Sequence, residues 1–209
     1  MAVFCWVSPS LRCRRFPMTD REDKAIRAFV ALPLPESVRN QIRSAQEALK
    51  NYRLNIRWVR PENIHLTLRF LGDVNPADVE RLHKALEQAT ADREPLELVA
   101  KGFGVFPNIR KPRVIWMGVG GDTGKLFELQ RRVEEELARV GFPPESRRFK
   151  AHLTMGRSKG RIQGTQLVKA FEELEDFASP FTAGSVILYQ SRLSPRGARY
   201  TRLKEIPLS

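Results

Sequence analysis

Two short phrases hold the residues best suited to chemistry: His65-Leu66-Thr67, continued by Leu68-Arg69-Phe70-Leu71-Gly72, and His152-Leu153-Thr154, continued by Met155-Gly156-Arg157. The chain has 3 histidines, and two of them open the same phrase. At ordinary residue usage a His is followed by Leu-Thr on the order of once in a few hundred times, so the repetition is a signal and not an accident. Imidazole has the side-chain pKa nearest neutrality. One copy can take a proton from an attacking water while the other gives a proton to a leaving oxygen. The threonine hydroxyl two positions on is a neutral donor that can hold a phosphate oxygen without competing for the moving proton. The pairing points to metal-free phosphodiester cleavage, with His65 and His152 catalytic and Thr67 and Thr154 binding the phosphate.

The blander alternatives are weaker. A single His on a strand is more often structural than catalytic, but the duplication reverses that weighting. His83 is the contrast: it sits in a helical pattern with Val79, Leu82 and Leu86 on the core stripe, and is expected to be a surface helix residue. Zinc takes three or four ligands at recognisable spacings, and Glu62 is the only acidic residue within three positions of a motif histidine, so no metal is expected. No serine stands in a Gly-x-Ser-x-Gly elbow, and no GxxxxGK[ST] loop is present to bind ATP.

Each phrase must lie on a strand, because polar and apolar residues alternate and Thr is β-branched. Alternation predicts His65, Thr67 and Arg69 on one face, with Leu66, Leu68 and Phe70 on the other. Further strands are expected at Ala28–Leu32, Ile56–Val59, Leu96–Phe106, Arg113–Val119, Ser185–Leu193 and Arg199–Ile206. Helices are expected from Pro35 to about Tyr52, Pro76 to Thr90, Asp122 or Thr123 to Val140 with Gly141 as the stop, and Thr165 to about Leu174. The histidines stand nearly half the folded length apart, which predicts two similar α+β lobes facing each other.

Composition agrees with an anionic partner. Lys plus Arg is 36 against 24 for Asp plus Glu, a net charge of +12. Placement says more than the sum: Arg147, Arg148 and Lys150 precede His152, Arg157, Lys159 and Arg161 follow it, and Arg57, Arg60 and Arg69 flank His65. Charges at the rim of a cleft would hold a nucleic-acid backbone in a salt-dependent way. The candidate RNA contacts are Arg69, Arg147, Arg148, Lys150 and Arg161. Alternation puts Lys150 on the face of His152 and turns Phe149 away.

The two motifs resemble those of the 2H phosphoesterases, named for paired His-x-Thr/Ser-x motifs. The rest of the chain resembles the bacterial and archaeal branch known as RNA 2′,3′-cyclic phosphodiesterase or 2′-5′ RNA ligase. The supporting phrases are Arg27-Ala-Phe-Val-Ala-Leu-Pro-Leu-Pro35, the first motif through Gly72, Gly104-Val-Phe-Pro-Asn108, Pro112-Arg-Val-Ile-Trp-Met-Gly118 and Ser191-Arg-Leu-Ser-Pro-Arg-Gly-Ala-Arg-Tyr200, which span most of the chain. One departure is Ala151, where the family usually has proline. The resemblance implies an α+β, bilobal fold in which two antiparallel sheets with outer helices face each other across a cleft. It also implies hydrolysis of an RNA terminal 2′,3′-cyclic phosphate to a 2′-phosphate, and, with a 5′-hydroxyl RNA in place of water, ATP-independent 2′-5′ ligation in reverse. The two copies are nearly identical, so the sequence leaves open which histidine is acid and which is base; the reading favoured is His65 as acid to the leaving 3′ oxygen and His152 as base for water. The alternatives are action on 2′-5′ oligoadenylate or another small cyclic phosphate, or a non-catalytic RNA-binding module.

Residues 1–18 precede Met18-Thr19-Asp20, where a chain like the family's ordinary N-terminus begins, so they are expected to be a disordered extension or a mis-assigned start. Residues 19–209 are expected to form one bilobal domain. Both cysteines, Cys5 and Cys13, fall in the extension, so no disulfide framework implies secretion. No apolar run approaches the roughly 20 residues that span a bilayer. A cytoplasmic, monomeric enzyme without cofactors, acting on RNA ends or a small cyclic nucleotide, is expected.

Overall fold

The computed structural model describes residues 24–174, 176–195 and 197–209. The expected extension, with Cys5 and Cys13, lies outside the described residues. In chain order the elements are β1 (Ile26–Leu32), α1 (Glu36–Lys50), β2 (Ile56–Trp58), β3 (Leu66–Val74), α2 (Val79–Thr90), β4 (Leu96–Phe106), β5 (Val114–Gly121), α3 (Thr123–Arg139), β6 (His152–Ser158), α4 (Gly164–Glu172), β7 (Ala178–Ala183), β8 (Ser185–Ser194) and β9 (Gly197–Pro207). Short 3-10 turns at Pro61–Asn63 and Pro76–Asp78 lead into β3 and α2.

Helix periodicity set these elements locally. Val38, Ile42, Ala45 and Leu49 make one buried stripe along α1, and Leu126, Leu129, Val133 and Leu137 do the same along α3. Pro35 occupies the N-cap position of α1 in extended conformation, so that helix starts one residue later than the sequence indicated. Gly141 ends the turn after α3 at φ +91°, a conformation that only glycine adopts without strain.

All strand pairings are antiparallel, in the order β7-β4-β5-β6-β3-β1-β8-β9 with β2 beside β6. The expected two sheets are halves of one curled sheet: β3, β1, β8 and β9 form one half, β6, β5, β4 and β7 the other. Leu66 and Leu153 are the ladder pair that joins β3 to β6. The α+β, antiparallel reading of the sequence therefore stands, with the sheets fused at the two motifs.

The helices cover the convex face and cross over between halves. α1 follows β1 but contacts β7 of the other half, while α3 follows β5 but packs on β3 and on α2. Ala28, Val30 and Leu32 of β1 share a core with Leu153 and Met155 of β6, so the apolar interior runs unbroken behind both motif strands. β7 had no forecast in the sequence. It alternates exposed and buried residues, but it contains Pro180, which can be tolerated because β7 is an edge strand and the missing N–H need serve no neighbour there.

Candidate functional site

The two motif strands carry matching irregularities. In β3 the pairing with β1 passes from Ala31↔Thr67 to Val30↔Arg69, skipping Leu68. In β6 the pairing with β5 passes from Trp116↔Thr154 to Ile115↔Gly156, skipping Met155. Each strand thus has a bulge three residues after its histidine, and a bulge reverses the alternation beyond it, in β3 as far as a second register shift at Leu71. The carbonyl of each bulged residue accepts from a glutamine on a covering helix: Gln46 Nε2 of α1 donates to Met155 O at 3.0 Å and to Val59 O at 2.8 Å, and Gln130 Nε2 of α3 lies 3.5 Å from Leu68 O.

The bulge in β3 corrects two expectations drawn from strict alternation. Arg69 does not share the face of His65 and Thr67. It is 6 % exposed on the convex side, where Nη1 lies 3.4 Å from Glu134 and 3.6 Å from Glu145, and Nη2 donates to the carbonyl of Pro143. It ties α3 and the chain after it to β3, and does not reach the cleft as an RNA contact. Phe70 takes the cleft face instead, 56 % exposed and 6.0 Å from the Phe29 ring.

On the concave face both histidines are held alike. Asn63 O accepts from His65 Nδ1 at 2.9 Å, and Lys150 O accepts from His152 Nδ1 at 2.7 Å; in each case the carbonyl belongs to the residue two positions earlier. A carbonyl can only accept, so each neutral imidazole carries its proton on Nδ1 and presents the Nε2 lone pair to the cleft. Leu66↔Leu153 is the pair recorded between β3 and β6, so His65 is the residue on the side of Thr154 and His152 the residue on the side of Thr67.

Aromatic rings wall both sites. Phe29 stacks on His65 at 4.6 Å, Tyr200 meets it edge-on at 5.2 Å, and Tyr189 lies 6.1 Å away. Phe106 stands edge-on to His152 at 5.0 Å, with Trp116 at 6.4 Å. The Trp116 ring has room because its ladder partner is Gly104, where a Cβ would lie 2.3 Å from Trp116 Cζ2. These rings were missed as site residues, although Phe106, Trp116 and Tyr200 stand inside the phrases that carried the family resemblance. Their signal was periodicity across strands distant in sequence, which no single segment displays.

Burial holds His65 far below its ordinary value, at about 4, against the opposing hydrogen bond to Asn63 O; a charge on His152 lowers it further. Burial also lowers His152, opposed by the bond to Lys150 O and aided by the Arg157 guanidinium. Both imidazoles are therefore neutral near pH 7 in the free protein.

The remaining expected residues are distributed unevenly. Lys150 is exposed, with Nζ 5.5 Å from the Phe106 ring centroid, and so stands beside His152. Phe149 turns away and meets Phe127 edge-on at 5.6 Å. Arg147, Arg148 and Arg161 are exposed and lie outside the regular strands. Arg157 follows the second bulge, opposite Val114 of β5 and on the concave face with Thr154. His83 lies on α2 between Glu80 and Glu87, away from both motifs. Among the described residues no group of three or more His, Cys, Asp or Glu side chains comes together to hold a metal, and no helix is long and apolar enough to cross a membrane.

The family described as LigT like Phosphoesterase matches residues 32–116 and 121–200. The RNA 2′,3′-cyclic phosphodiesterase of Methanothermobacter thermautotrophicus is 36 % identical over 181 residues, which cover 86 % of this chain and 97 % of that protein. That of Aquifex aeolicus is 33 % identical over 190 residues, 88 % of this chain and 98 % of its own. Among solved structures, a Thermus thermophilus protein superposes with TM-score 0.71 at 26 % identity, over 88 % of this chain and 98 % of that one. E. coli LigT complexed with 3′-AMP superposes with TM-score 0.68 at 26 % identity, over 89 % and 99 %.

Proposed function

Since this chain belongs to the LigT-like phosphoesterase family, we propose that it is an RNA 2′,3′-cyclic phosphodiesterase that hydrolyses the terminal cyclic phosphate to a 2′-phosphate with two histidines and no metal. The observation that supports this reading is the Leu66↔Leu153 pair, through which the two motif strands run side by side. His152 Nε2 takes the proton of the attacking water. His65 Nε2 gives a proton to the departing 3′ oxygen. Thr67 and Thr154 donate to the phosphate oxygens, and Arg157, whose charge reaches His152, stabilises the charge that builds there.

The aromatic wall explains how His65 can serve as the acid despite its low proton affinity. Rings exclude water and disfavour the imidazolium while the cleft is empty. The anionic substrate supplies the missing counter-charge. His65 thus takes up its proton as the substrate binds. With a 5′-hydroxyl of RNA in place of water, the same two transfers operate: His152 takes the proton of the attacking hydroxyl and His65 gives one to the departing 3′ oxygen, which forms a 2′-5′ linkage without ATP.

Both histidines come from one chain, so the monomer is the proposed active unit, and residues 19–209 act as one bilobal domain. RNA ends or small cyclic nucleotides in the cytoplasm are the proposed substrates, with Lys150 and Phe70 lining the entry. The deciding experiment is incubation, with excess EDTA, of RNA ending in a 2′,3′-cyclic phosphate, followed by identification of the new terminus. A 2′-phosphate is expected. Activity that is lost in EDTA and restored by zinc or manganese overturns the mechanism, and an intact cyclic end overturns the function.

A further inference from the structure

We infer that Arg57 binds a backbone phosphate of the RNA 5′ to the reacting end, and so makes the protein favour an oligonucleotide over a mononucleotide; this rests on the proposed function. A 2′,3′-cyclic phosphate lies on the last nucleotide, so any further RNA can leave the site only in the 5′ direction, and something on the cleft face must meet its phosphates.

The β2–β6 ladder pairs Ile56↔Ser158, Arg57↔Arg157 and Trp58↔Gly156. Ile56 is buried in an apolar cluster with Ile115, Ile162 and Leu167, with Trp58 packed against it, on the convex side. A Cβ on Gly156 would strike Ile56 Cγ2 at 2.5 Å and Trp58 Cε3 at 3.1 Å, which fixes the same direction for that pair. Arg57 and Arg157, between these pairs, therefore point together to the concave face. Arg157 is already tied to the site, because its charge is felt at both His152 and Tyr200.

Two arginines directly opposite each other destabilise an antiparallel pair. A pair kept for stability would have a carboxylate between them, yet no ion pair among the described residues joins an acid to Arg57 or Arg157. Both are exposed. The cationic strip continues just past β6 with exposed Lys159, which lies two residues beyond Arg157 and whose N–H donates to Asn55 O at 2.9 Å. The counter-charge this row lacks among the described residues is what a phosphate backbone supplies.

The test compares kcat/KM for a trinucleotide ending in a 2′,3′-cyclic phosphate with that for the mononucleotide 2′,3′-cyclic phosphate. In Arg57→Gln the trinucleotide-to-mononucleotide ratio is expected to fall about tenfold, and the salt dependence for the trinucleotide to flatten by about 0.7 in log–log slope, the single-strand value for one phosphate contact. Arg81→Gln, on α2 and paired with Asp78, controls for loss of net charge and should leave the ratio alone. Arg57→Glu places a carboxylate opposite Arg157 and should raise Tm by about 1–3 °C while lowering the ratio further, which separates recognition from folding. An unchanged ratio in Arg57→Gln, or an equal loss on both substrates, overturns the role of Arg57 alone. No turnover of either substrate by the unaltered protein overturns the proposed function with it.

Discussion

Leu66 and Leu153, the residues that follow the two motif histidines, face each other in the antiparallel ladder between β3 and β6. His65 and Thr67 flank one of these leucines and His152 and Thr154 the other, so the pair brings the two motifs side by side. Both leucines are fully buried, and the interior behind them is shared by the two halves of the sheet. The geometry of the motif side chains is thereby coupled to the packing of the core.

The histidines are expected to be unequal to the rest of the chain in their effect on turnover. His65→Ala and His152→Ala should each lower kcat by roughly a hundredfold or more, the usual contribution of one acid–base group. His83→Ala should change kcat by less than twofold. Steady-state kinetics on a cyclic-phosphate substrate checks this, and similar mild losses in all three variants would make the motif histidines structural.

Stability should depend on pH through His65. Its folded value of about 4 lies below the ordinary 6.5, so the unfolded chain binds the extra proton first. The stabilisation is fully present above pH 6.5, declines as pH falls towards 4 and is constant below, a difference of at most about 3 kcal/mol. His65→Asn should flatten urea-derived stability against pH within that window. A slope identical to that of the unaltered protein would show that the imidazole is not desolvated.

Arg69 is expected to matter for folding and not for binding. Arg69→Met removes a cation from beside Glu134, whose carboxyl burial already pushes up, and should cost about 3 kcal/mol by leaving that group uncompensated. A lower midpoint in urea, with the salt dependence of RNA binding unaltered, is the expected result. A change in salt slope would return Arg69 to the RNA surface.

Gly104→Ala tests the wall around His152. The added Cβ would overlap the Trp116 ring, which packs at 5.1 Å on Phe106 and through it on His152. Displacing the ring should cost about 1–3 kcal/mol of stability, as overpacking does, and lower kcat more than it raises KM. Thermal unfolding and kinetics measured together distinguish this from simple unfolding, and full activity would mean that Trp116 has no part in placing His152.

Much of the chemistry was present in the sequence by itself, because duplication of His-Leu-Thr is a statement about composition and spacing that needs no third dimension. The strands, the helices and their amphipathic stripes were equally local, since the periods of 2 and 3.6 residues are properties of short segments. What alternation could not foresee was the bulge at Leu68, since an extra residue in a strand is decided by how its neighbours pair. That one residue sent Arg69 to the core side and Phe70 to the cleft. The rings of Phe29, Tyr189 and Tyr200 around His65 come from β1, β8 and β9, and became one wall only when those strands paired. The sequence by itself singled out the candidate groups; the tertiary structure decided their register, their solvent exclusion and hence their proton affinity, because burial and cross-strand contact are properties of the assembled sheet.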